Sequence, residues 1–299
     1  MDLKSGYPYW AVKNGLMQAF PPLEHDLRCD VLVVGGGITG ALAADELARH
    51  GHDVAVVEQR DIGWGSSAAS TGLLQYEIDT HMVDLAKRYG EADAALAYRA
   101  CAEAIPALGA LARGLRDGGY GRAESLYFAS RRRDVRDLRA EFELRARHGF
   151  DIDWFEPDEL QARYGFRAPA AILSRLGAHI DPYRMTYRLL GRLQRNGGGV
   201  FDRTAIAHVR TTSRGIVATT TQGAAIRAGH AVFAAGYANQ KWLDEGVARN
   251  RSSYAFITDP IDPALLGELD RTMVWESARP YLYLRPTGDH RLLVGGEDD

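Results

Sequence analysis

The 299-residue sequence predicts an α/β fold, α+β overall, that starts from a Rossmann-like βαβ unit. Three adjacent segments of the chain support this prediction. An apolar run at residues 31–34 is typical of a buried parallel strand. A glycine turn and an Ala/Leu-rich helix follow it, and the helical pattern breaks at Gly51. A second apolar strand at residues 54–57 ends in an acid, Glu58. Strand, glycine turn, helix, strand and acid in this order predict a dinucleotide-binding unit.

The glycine turn reads GGGITG, and three of its glycines have separate mechanical roles. Gly35 allows the tight turn, Gly37 lets the backbone approach a pyrophosphate, and Gly40 brings the helix close to the strand. The start of the helix presents free N–H groups and a positive dipole end to the phosphates. Glu58 lies 18 positions after Gly40 and suits a ribose diol. An ordinary glycine turn in an α/β protein is the alternative.

Composition and charge exclude several classes of protein. Apolar residues make up 46% of the chain, ordinary for a soluble globular protein, and the length suggests about two domains. The formal net charge of −3 argues against nucleic-acid binding. Cys29 and Cys101 have neither metal-site nor disulfide spacing, which predicts no metal site and a reducing compartment. Without an apolar leader or a run of about 18 apolar residues, the chain is expected to be cytoplasmic with no transmembrane segment.

Periodicity and turn signals predict the remaining elements. Pro8, Pro21 and Pro22 oppose regular structure in residues 1–26, which we interpret as an N-terminal extension. The charged helix at 131–148 interleaves acids with bases, which indicates a solvated face rather than a nucleic-acid patch. The other predicted elements are helices at 82–116, interrupted near Pro106, and at 182–195, and strands at 200–209, 214–220, 225–234, 281–285 and 292–294.

A segment rich in glycine and serine follows Glu58. Residues 63–72 contain three glycines and four serine or threonine hydroxyls. Such a segment offers backbone N–H groups and hydroxyls to a second face of a diphosphate or to a ribityl chain. A flexible Ser/Gly linker is the alternative, but the position next to the ribose acid favours the binding role.

The order of five motifs resembles that of the D-amino-acid oxidase-like flavoproteins, the family of glycine oxidase, sarcosine oxidase and the D-amino-acid dehydrogenases. These motifs are the βαβ unit, GSSAAST at 65–71, HIDP at 179–182, TAI at 204–206 and AAG at 234–236. The resemblance implies bound FAD, a Rossmann-like FAD-binding domain with a central parallel sheet, and a substrate domain with a mainly antiparallel sheet. It also implies oxidation of a C–N bond by hydride transfer to flavin.

Carried over position by position, the resemblance implies a set of residues that contact FAD. They are Gly35, Gly37, Ile38, Thr39, Gly40, Glu58, Gln59, Ser66, Ser67, Ser70, Thr71, Ile206, Ala235 and Gly236. Relatives that bind flavin covalently often carry a histidine in the GSSAAST region. This chain has Ala69 at the nearest matching position, so a covalent link there is not supported.

The resemblance also implies a discontinuous layout. Residues 27–88 and 150–245 would form the FAD-binding domain, and residues 89–149 and 246–299 an incomplete substrate domain. The chain ends at GGEDD, where the family continues into a helix whose N-terminus lies near the flavin pyrimidine ring. We therefore interpret the chain as C-terminally truncated. We expect weak or absent activity from it alone, because that helix end stabilises anionic reduced flavin.

The strand RPYLYLRP holds the first candidates for substrate binding and catalysis. Alternation places Tyr281, Tyr283 and Arg285 on one face, where they suit an amino-acid carboxylate; a half-exposed strand facing solvent is the alternative. Tyr254 lies on a strand expected to adjoin the site, although a core or rim aromatic is the simpler interpretation. His179 is interpreted as a structural residue rather than a base.

Two residues that follow the serine-rich segment, Tyr76 and Glu77, have two interpretations. They could approach the flavin face, or Glu77 could cap the helix that starts near Thr80.

The leading hypothesis is an FAD-dependent amine or amino-acid oxidase or dehydrogenase. Its partners would be a small amine or amino-acid substrate and an electron acceptor, either oxygen or a quinone or other electron carrier. One alternative is a truncated or degenerate FAD-binding protein without independent activity. Another is a different FAD enzyme, such as a glycerol-3-phosphate dehydrogenase-like enzyme or a hydroxylase. A nicotinamide-only dehydrogenase would leave the serine-rich segment unexplained.

Overall fold

The structure is a computed structural model that describes residues 6–249 and 253–296. The described chain forms two compact units, each with its own sheet. The first unit comprises Met1–Ser70 and Asp181–Asn250, and the second comprises Thr71–Ile180 and Arg251–Asp299.

The helices and strands are numbered in chain order. The α-helices are α1 Tyr9–Asn14, α2 Ile38–Arg49, α3 Ser66–Ala69, α4 Met82–Tyr89, α5 Glu91–Arg113, α6 Val135–Arg147, α7 Pro157–Tyr164, α8 Pro182–Arg195 and α9 Pro263–Leu266. The strands are β1 Leu27–Val34, β2 Val54–Val57, β3 Leu73–Gln75, β4 Gly121–Phe128, β5 Ile152–Phe155, β6 Ala171–His179, β7 Gly199–Phe201, β8 Ile206–Thr212, β9 Gly215–Thr220, β10 Ala225–Phe233, β11 Tyr254–Ile257, β12 Thr272–Glu276, β13 Leu282–Pro286 and β14 Leu292–Gly296. Short 3-10 helices cover Arg132–Asp134, Gly236–Trp242 and Gly267–Arg271.

The first unit contains a six-stranded sheet in the order β7-β2-β1-β10-β9-β8. β1 pairs in parallel with β2 and β10, and β2 pairs in parallel with β7, whereas β8, β9 and β10 form an antiparallel meander. Leu32 and Val33 in β1 are fully buried, as a central parallel strand requires. The predicted strand at 200–209 is divided into β7 and β8 by a turn in which Thr204 Oγ1 donates to the carbonyl of Asp202. The parallel core confirms the predicted Rossmann-like fold class.

The N-terminal residues that the structure describes are folded into the first unit, whereas the sequence predicted an extension without regular structure. Pro8 precedes α1, and α1 ends at Asn14, which is followed by Gly15 with a φ of 63°. A proline before the first turn removes no N–H that the helix needs, so it is compatible with α1. Trp10, Phe20 and Leu23 are buried.

The second unit contains an eight-stranded sheet in the order β11-β14-β13-β12-β4-β6-β3, with β5 also paired to β6. Among the described strands, β4 and β12 pair in parallel and the other pairs are antiparallel. Alternate residues pack into cores on the two faces, with Val274 in one core and Trp275 in the other. This confirms the mainly antiparallel second sheet.

The boundaries of the units differ from the expected domain boundaries. The sequence placed residues 71–88 and 150–180 in the FAD-binding domain, whereas the structure places both stretches in the second unit. The physical reason is strand pairing, because β3, β5 and β6 hydrogen-bond into the second sheet.

Some expectations fall on the parts of the chain outside the described residues. These are residues 1–5 of the predicted extension, residues 250–252, and residues 297–299 at the end of GGEDD. Among the described residues, no helix is long and apolar enough to cross a membrane. The same residues contain no group of three or more His, Cys, Asp or Glu side chains that could hold a metal ion.

Two helices of the second unit depart from their predicted form. α5 runs through Pro106, where an interruption was predicted. α6 was predicted to be a solvated helix, but Glu141 and Arg145 on it are fully buried. The Glu141 carboxylate accepts hydrogen bonds from the backbone N–H groups of Met82 and Val83 at 2.9 and 3.0 Å. Glu141 therefore satisfies the free amides at the start of α4.

Arg145 joins two buried carboxylates. Its Nε donates to Glu141 Oε1 at 2.8 Å, and its Nη1 lies 3.5 Å from Glu77 Oε1. Glu77 also accepts a hydrogen bond from the Ser174 hydroxyl, and it does not cap α4 because Glu141 does. Burial raises the pKa of Glu77. Burial opposes ionisation of Glu141 too, but Arg145 and the α4 amides outweigh it and hold the pKa of Glu141 below its usual value.

Replacing Arg145 with methionine is expected to lower the free energy of unfolding by about 3–5 kcal/mol, because it leaves buried carboxylates uncompensated. The matched control is Arg147→Met, since Arg147 is exposed on the same helix and pairs with Glu91 at 3.2 Å. That surface pair should contribute less than about 1 kcal/mol. Urea unfolding at neutral pH measures both values.

The stability loss of Arg145→Met should also depend on pH. Without Arg145 the pKa of Glu141 rises above its unfolded value, so the carboxyl favours folding only while it is protonated. The deficit should therefore shrink as the pH falls from about 7 to about 5. A deficit that is the same at both pH values would contradict the uncompensated-carboxylate explanation.

Candidate functional site

A cavity of about 290 Å³ lies in the first unit, where β1, β2 and the glycine turn meet the start of α2. Its lining includes every predicted cofactor residue except Gly40 and Thr71, namely Gly35, Gly37, Ile38, Thr39, Glu58, Gln59, Ser66, Ser67, Ser70, Ile206, Ala235 and Gly236. Gly40 lies inside α2, and Thr71 is buried in the second unit. The carboxyl ends of parallel strands are where open α/β sheets bind their ligands.

The spaced glycines of the turn are required by close backbone approaches. Gly35 has a φ of 117°, and a side chain there would collide with the carbonyl of Ala234. A side chain at Gly40 would collide with the carbonyl of Gly35. A Cβ at Gly37 would lie 3.1 Å from Ser67 Oγ, on the side that lines the cavity. The backbone therefore stays open to a ligand at Gly37 and packs against itself at the other two glycines.

Gly36 is a functional position that the sequence reasoning missed. Its N–H donates to Glu58 Oε2 at 2.8 Å, and a Cβ there would run into the side chains of Ile62 and Glu58. The other Glu58 oxygen accepts from the N–H of Arg60 at 3.0 Å. Two backbone amides thus fix the carboxylate beside the turn. The signal was present in the middle glycine of the run at 35–37, which the spaced motif leaves without a role.

The serine-rich segment is partly helical rather than an open loop. Ser66 to Ala69 form α3, and Ser70 follows it in an extended conformation. Ser67 is buried, and its Oγ accepts a hydrogen bond from the N–H of Ile38 at 2.9 Å. This bond ties α3 to the first turn of α2, so that both helix starts contribute to the cavity.

The cavity carries cationic and aromatic side chains that the sequence did not identify. The 3-10 helix after the AAG turn brings Lys241 and Trp242 into the lining, with Lys241 Nζ 4.5 Å from the centroid of the Trp242 indole. Arg60 and Pro182 also line it. Two cations, serine hydroxyls and a glycine turn fit an anionic dinucleotide. The only sequence signal for Lys241 was its place shortly after the AAG motif.

Tyr281 and Tyr283, predicted to share one face of a strand, are close together in the second unit. Their ring centroids are 5.5 Å apart. The Tyr281 hydroxyl donates to Asp79 Oδ1 at 3.1 Å, and the Tyr283 ring lies over Gly295 on the neighbouring strand. Both side chains are half-buried.

Arg285 has partners other than the carboxylate expected from the sequence. Its side chain is buried, with 1% of its surface exposed. Its Nε donates to the carbonyl of Thr71 at 2.6 Å, Nη2 to that of Ile180 at 3.0 Å, and Nη1 to that of Pro286 at 3.0 Å. Strand alternation identified the face correctly but not the chain segments that pack against it.

Tyr254 is separated from the other two tyrosines by the sheet itself. It pairs with Gly296 on β14, and Gly296 pairs with Leu282 on β13. Paired residues share a face, so Tyr254 lies on the face of Leu282, opposite to Tyr283. The structure therefore does not bring this candidate together with Tyr281 and Tyr283.

His179 ends β6 and is half-buried. Burial, followed by the positive charge of Arg285, lowers the pKa of His179 to about 4. Its imidazole is therefore neutral at pH 7. A Cβ at Gly121 would collide with this imidazole, so the ring is also tightly packed, in agreement with a structural role.

Comparison with known proteins identifies the relatives of this chain. The family profile described as "DAO: FAD dependent oxidoreductase" matches residues 30–299. Gamma-glutamylputrescine oxidoreductase of Escherichia coli (strain K12) is 27% identical over 304 residues, covering 96% of this chain and 69% of its own length. Glycine oxidase of Geobacillus kaustophilus (strain HTA426) is 26% identical over 276 residues, covering 90% of this chain and 70% of its own length. The crystal structure of glycine oxidase from Geobacillus kaustophilus superimposes with a TM-score of 0.74 at 24% identity, covering 91% of this chain and 72% of that chain.

Replacing Gly40 with alanine should destabilise the first unit by about 1–3 kcal/mol, because the new methyl group displaces α2 from the turn. Dinucleotide binding should weaken about tenfold or more. Gly246→Ala is the matched control, since that position has open space around it, and its stability should change by less than about 0.5 kcal/mol. Thermal unfolding and a binding titration test both; equal effects of the two variants would contradict the close-approach explanation.

Replacing Arg285 with methionine should lower the free energy of unfolding by about 2–4 kcal/mol, because three buried carbonyls each lose a charged donor. Arg122, which is exposed on β4 of the same sheet, provides the control. Arg122→Met should change the free energy of unfolding by less than about 0.5 kcal/mol. Denaturant unfolding of the two variants distinguishes the outcomes. If Arg285→Met leaves the free energy of unfolding unchanged, these carbonyls must find other donors.

Proposed function

Because this chain belongs to the family of FAD-dependent oxidoreductases, we propose that it oxidises a carbon–nitrogen bond of a small amine or amino acid. The profile match over residues 30–299 carries the proposal, since that range includes most of both units. The substrate class is supported by the names of two relatives, a gamma-glutamylputrescine oxidoreductase and a glycine oxidase. The chain spans 69% and 70% of their lengths, respectively.

In this proposal the first unit holds FAD, the cofactor of the family. Gly35 and Gly37 keep the turn free of side chains near the diphosphate, and Lys241 opposes its negative charge. Glu58, held by the N–H of Gly36, accepts hydrogen bonds from the ribose hydroxyls. When bound, FAD supplies the two-electron acceptor for the oxidation.

The second unit supplies the substrate-binding residues in this proposal. Tyr281 and Tyr283, whose ring centroids are 5.5 Å apart, carry the hydroxyls that would orient a polar substrate. We leave out Arg285, whose guanidinium donates to backbone carbonyls, and Tyr254, which lies on the other face of the sheet. The reduced cofactor would pass its electrons to oxygen or to a quinone or other electron carrier.

The first experiment is an absorbance spectrum of the purified chain after addition of FAD and desalting. We expect a retained visible flavin band that bleaches anaerobically, although slowly in this chain alone, with gamma-glutamylputrescine, glycine or sarcosine, but not with glycerol 3-phosphate. Bleaching by glycerol 3-phosphate alone would contradict the amine proposal and leave the cofactor assignment intact. A chain that neither retains FAD nor gains thermal stability from it would contradict both.

Tyr283→Phe tests the proposed substrate role in a chain that retains FAD. Loss of a hydrogen bond to a charged substrate should lower the second-order rate constant of anaerobic flavin reduction by about 10- to 100-fold. The control is Tyr89→Phe, because Tyr89 is 67% exposed on α4 of the same unit. Stopped-flow absorbance measures both, and equal rates in the two variants would remove Tyr283 from the substrate site.

A further inference from the structure

The N-terminal segment contacts residues that line the cavity of the first unit. It lies outside the matched family range, which begins at residue 30. Trp10 in α1 is only 4% exposed. Its indole N–H donates to the carbonyl of Ser70 at 2.7 Å. Ser70 is where the chain leaves α3, and it lines the cavity together with Ser66 and Ser67. A residue outside the family profile therefore anchors one end of the serine-rich segment.

Asn14, at the end of α1, makes a second anchor on α8. Its Nδ2 donates to Asp181 Oδ2 at 2.8 Å, and its Oδ1 accepts from Arg184 Nε and Nη2 at 3.0 and 2.7 Å. Asp181 also caps α8, because its Oδ1 accepts from the N–H of Arg184 at 2.9 Å. Asn14 thus holds the start of α8, and Pro182 in that first turn lines the cavity.

We propose that Trp10 and Asn14 are positioning residues for FAD. They hold two parts of the cavity lining, the serine-rich segment and the start of α8, in the arrangement that binds the cofactor. The serine-rich segment needs such support because α3 has four residues, too few to be stable as an isolated helix. Anchoring its end at Ser70 reduces the conformational entropy that FAD binding must remove.

This inference rests on FAD as the cofactor of the family and does not depend on the proposed amine substrate. The inference concerns residues outside the glycine turn, because neither Trp10 nor Asn14 is among the residues that line the cavity. Both act through Ser70 and Asp181, and their effect is therefore expected on cofactor affinity and on local mobility.

Trp10→Phe removes the indole N–H and keeps an aromatic ring. We expect its FAD dissociation constant to rise about three- to tenfold, the effect of one net hydrogen bond. Tyr9→Phe is the matched control, since the Tyr9 hydroxyl accepts from Lys13 Nζ at 3.0 Å within the same helix. Asn14→Ala should weaken FAD binding in the same direction as Trp10→Phe. Equal FAD affinity in Trp10→Phe and Tyr9→Phe would overturn the proposal.

Amide hydrogen exchange of the FAD-free chain gives a second readout. In Trp10→Phe, peptides covering residues 66–72 should exchange faster than in Tyr9→Phe, while peptides from β1 stay unchanged. Faster exchange throughout the first unit would indicate general destabilisation and overturn the positioning role. If the unchanged chain fails to bind FAD, the cofactor assignment fails, and the exchange comparison still decides whether Trp10 orders this segment.

Discussion

The close approach of backbone segments at the end of β1 is the constraint on which the first unit depends. Gly35 packs against the carbonyl of Ala234, which follows β10, and Gly40 packs against Gly35. The absence of two side chains lets β1, β10 and α2 meet backbone to backbone, and the start of α2 lines the cavity. Gly36 then fixes Glu58 from the same turn. A dinucleotide cavity follows from this geometry before any binding side chain is chosen.

Most of that cavity could be predicted from the sequence because its determinants are local. The glycine turn and Glu58 belong to one βαβ unit, so spacing along the chain is nearly equivalent to position in space. Gly36 and Lys241 were missed for different reasons. Gly36 acts by packing against Ile62 and Glu58, which a spaced glycine motif does not encode. Lys241 reaches the cavity through a 3-10 helix that no periodicity indicated.

The second unit shows where local patterns stop being informative. Alternation predicts the face on which Arg285 lies, but one of the carbonyls that it binds belongs to Thr71, 214 positions away in the chain. The compact units differ from the expected domain boundaries for the same reason, since β3 pairs with β6 across a long stretch of sequence. Arg145 was likewise part of a pattern typical of a solvated helix, and only tertiary packing buries it with Glu77 and Glu141. In each case a decisive partner is distant in sequence, namely Thr71 for Arg285, β6 for β3 and Glu77 for Arg145, and the pattern contains no record of it.

Cofactor recognition and substrate recognition respond differently to sequence divergence in this fold. In the proposed function the turn binds through backbone groups, so its role survives any change that preserves Gly35, Gly37 and Gly40 and the packing around them. The proposed substrate site, made of side chains such as Tyr281 and Tyr283, would change its specificity with single substitutions. Two relatives that are 27% and 26% identical to this chain are named for different substrates, which agrees with a substrate site that changes more readily than the turn.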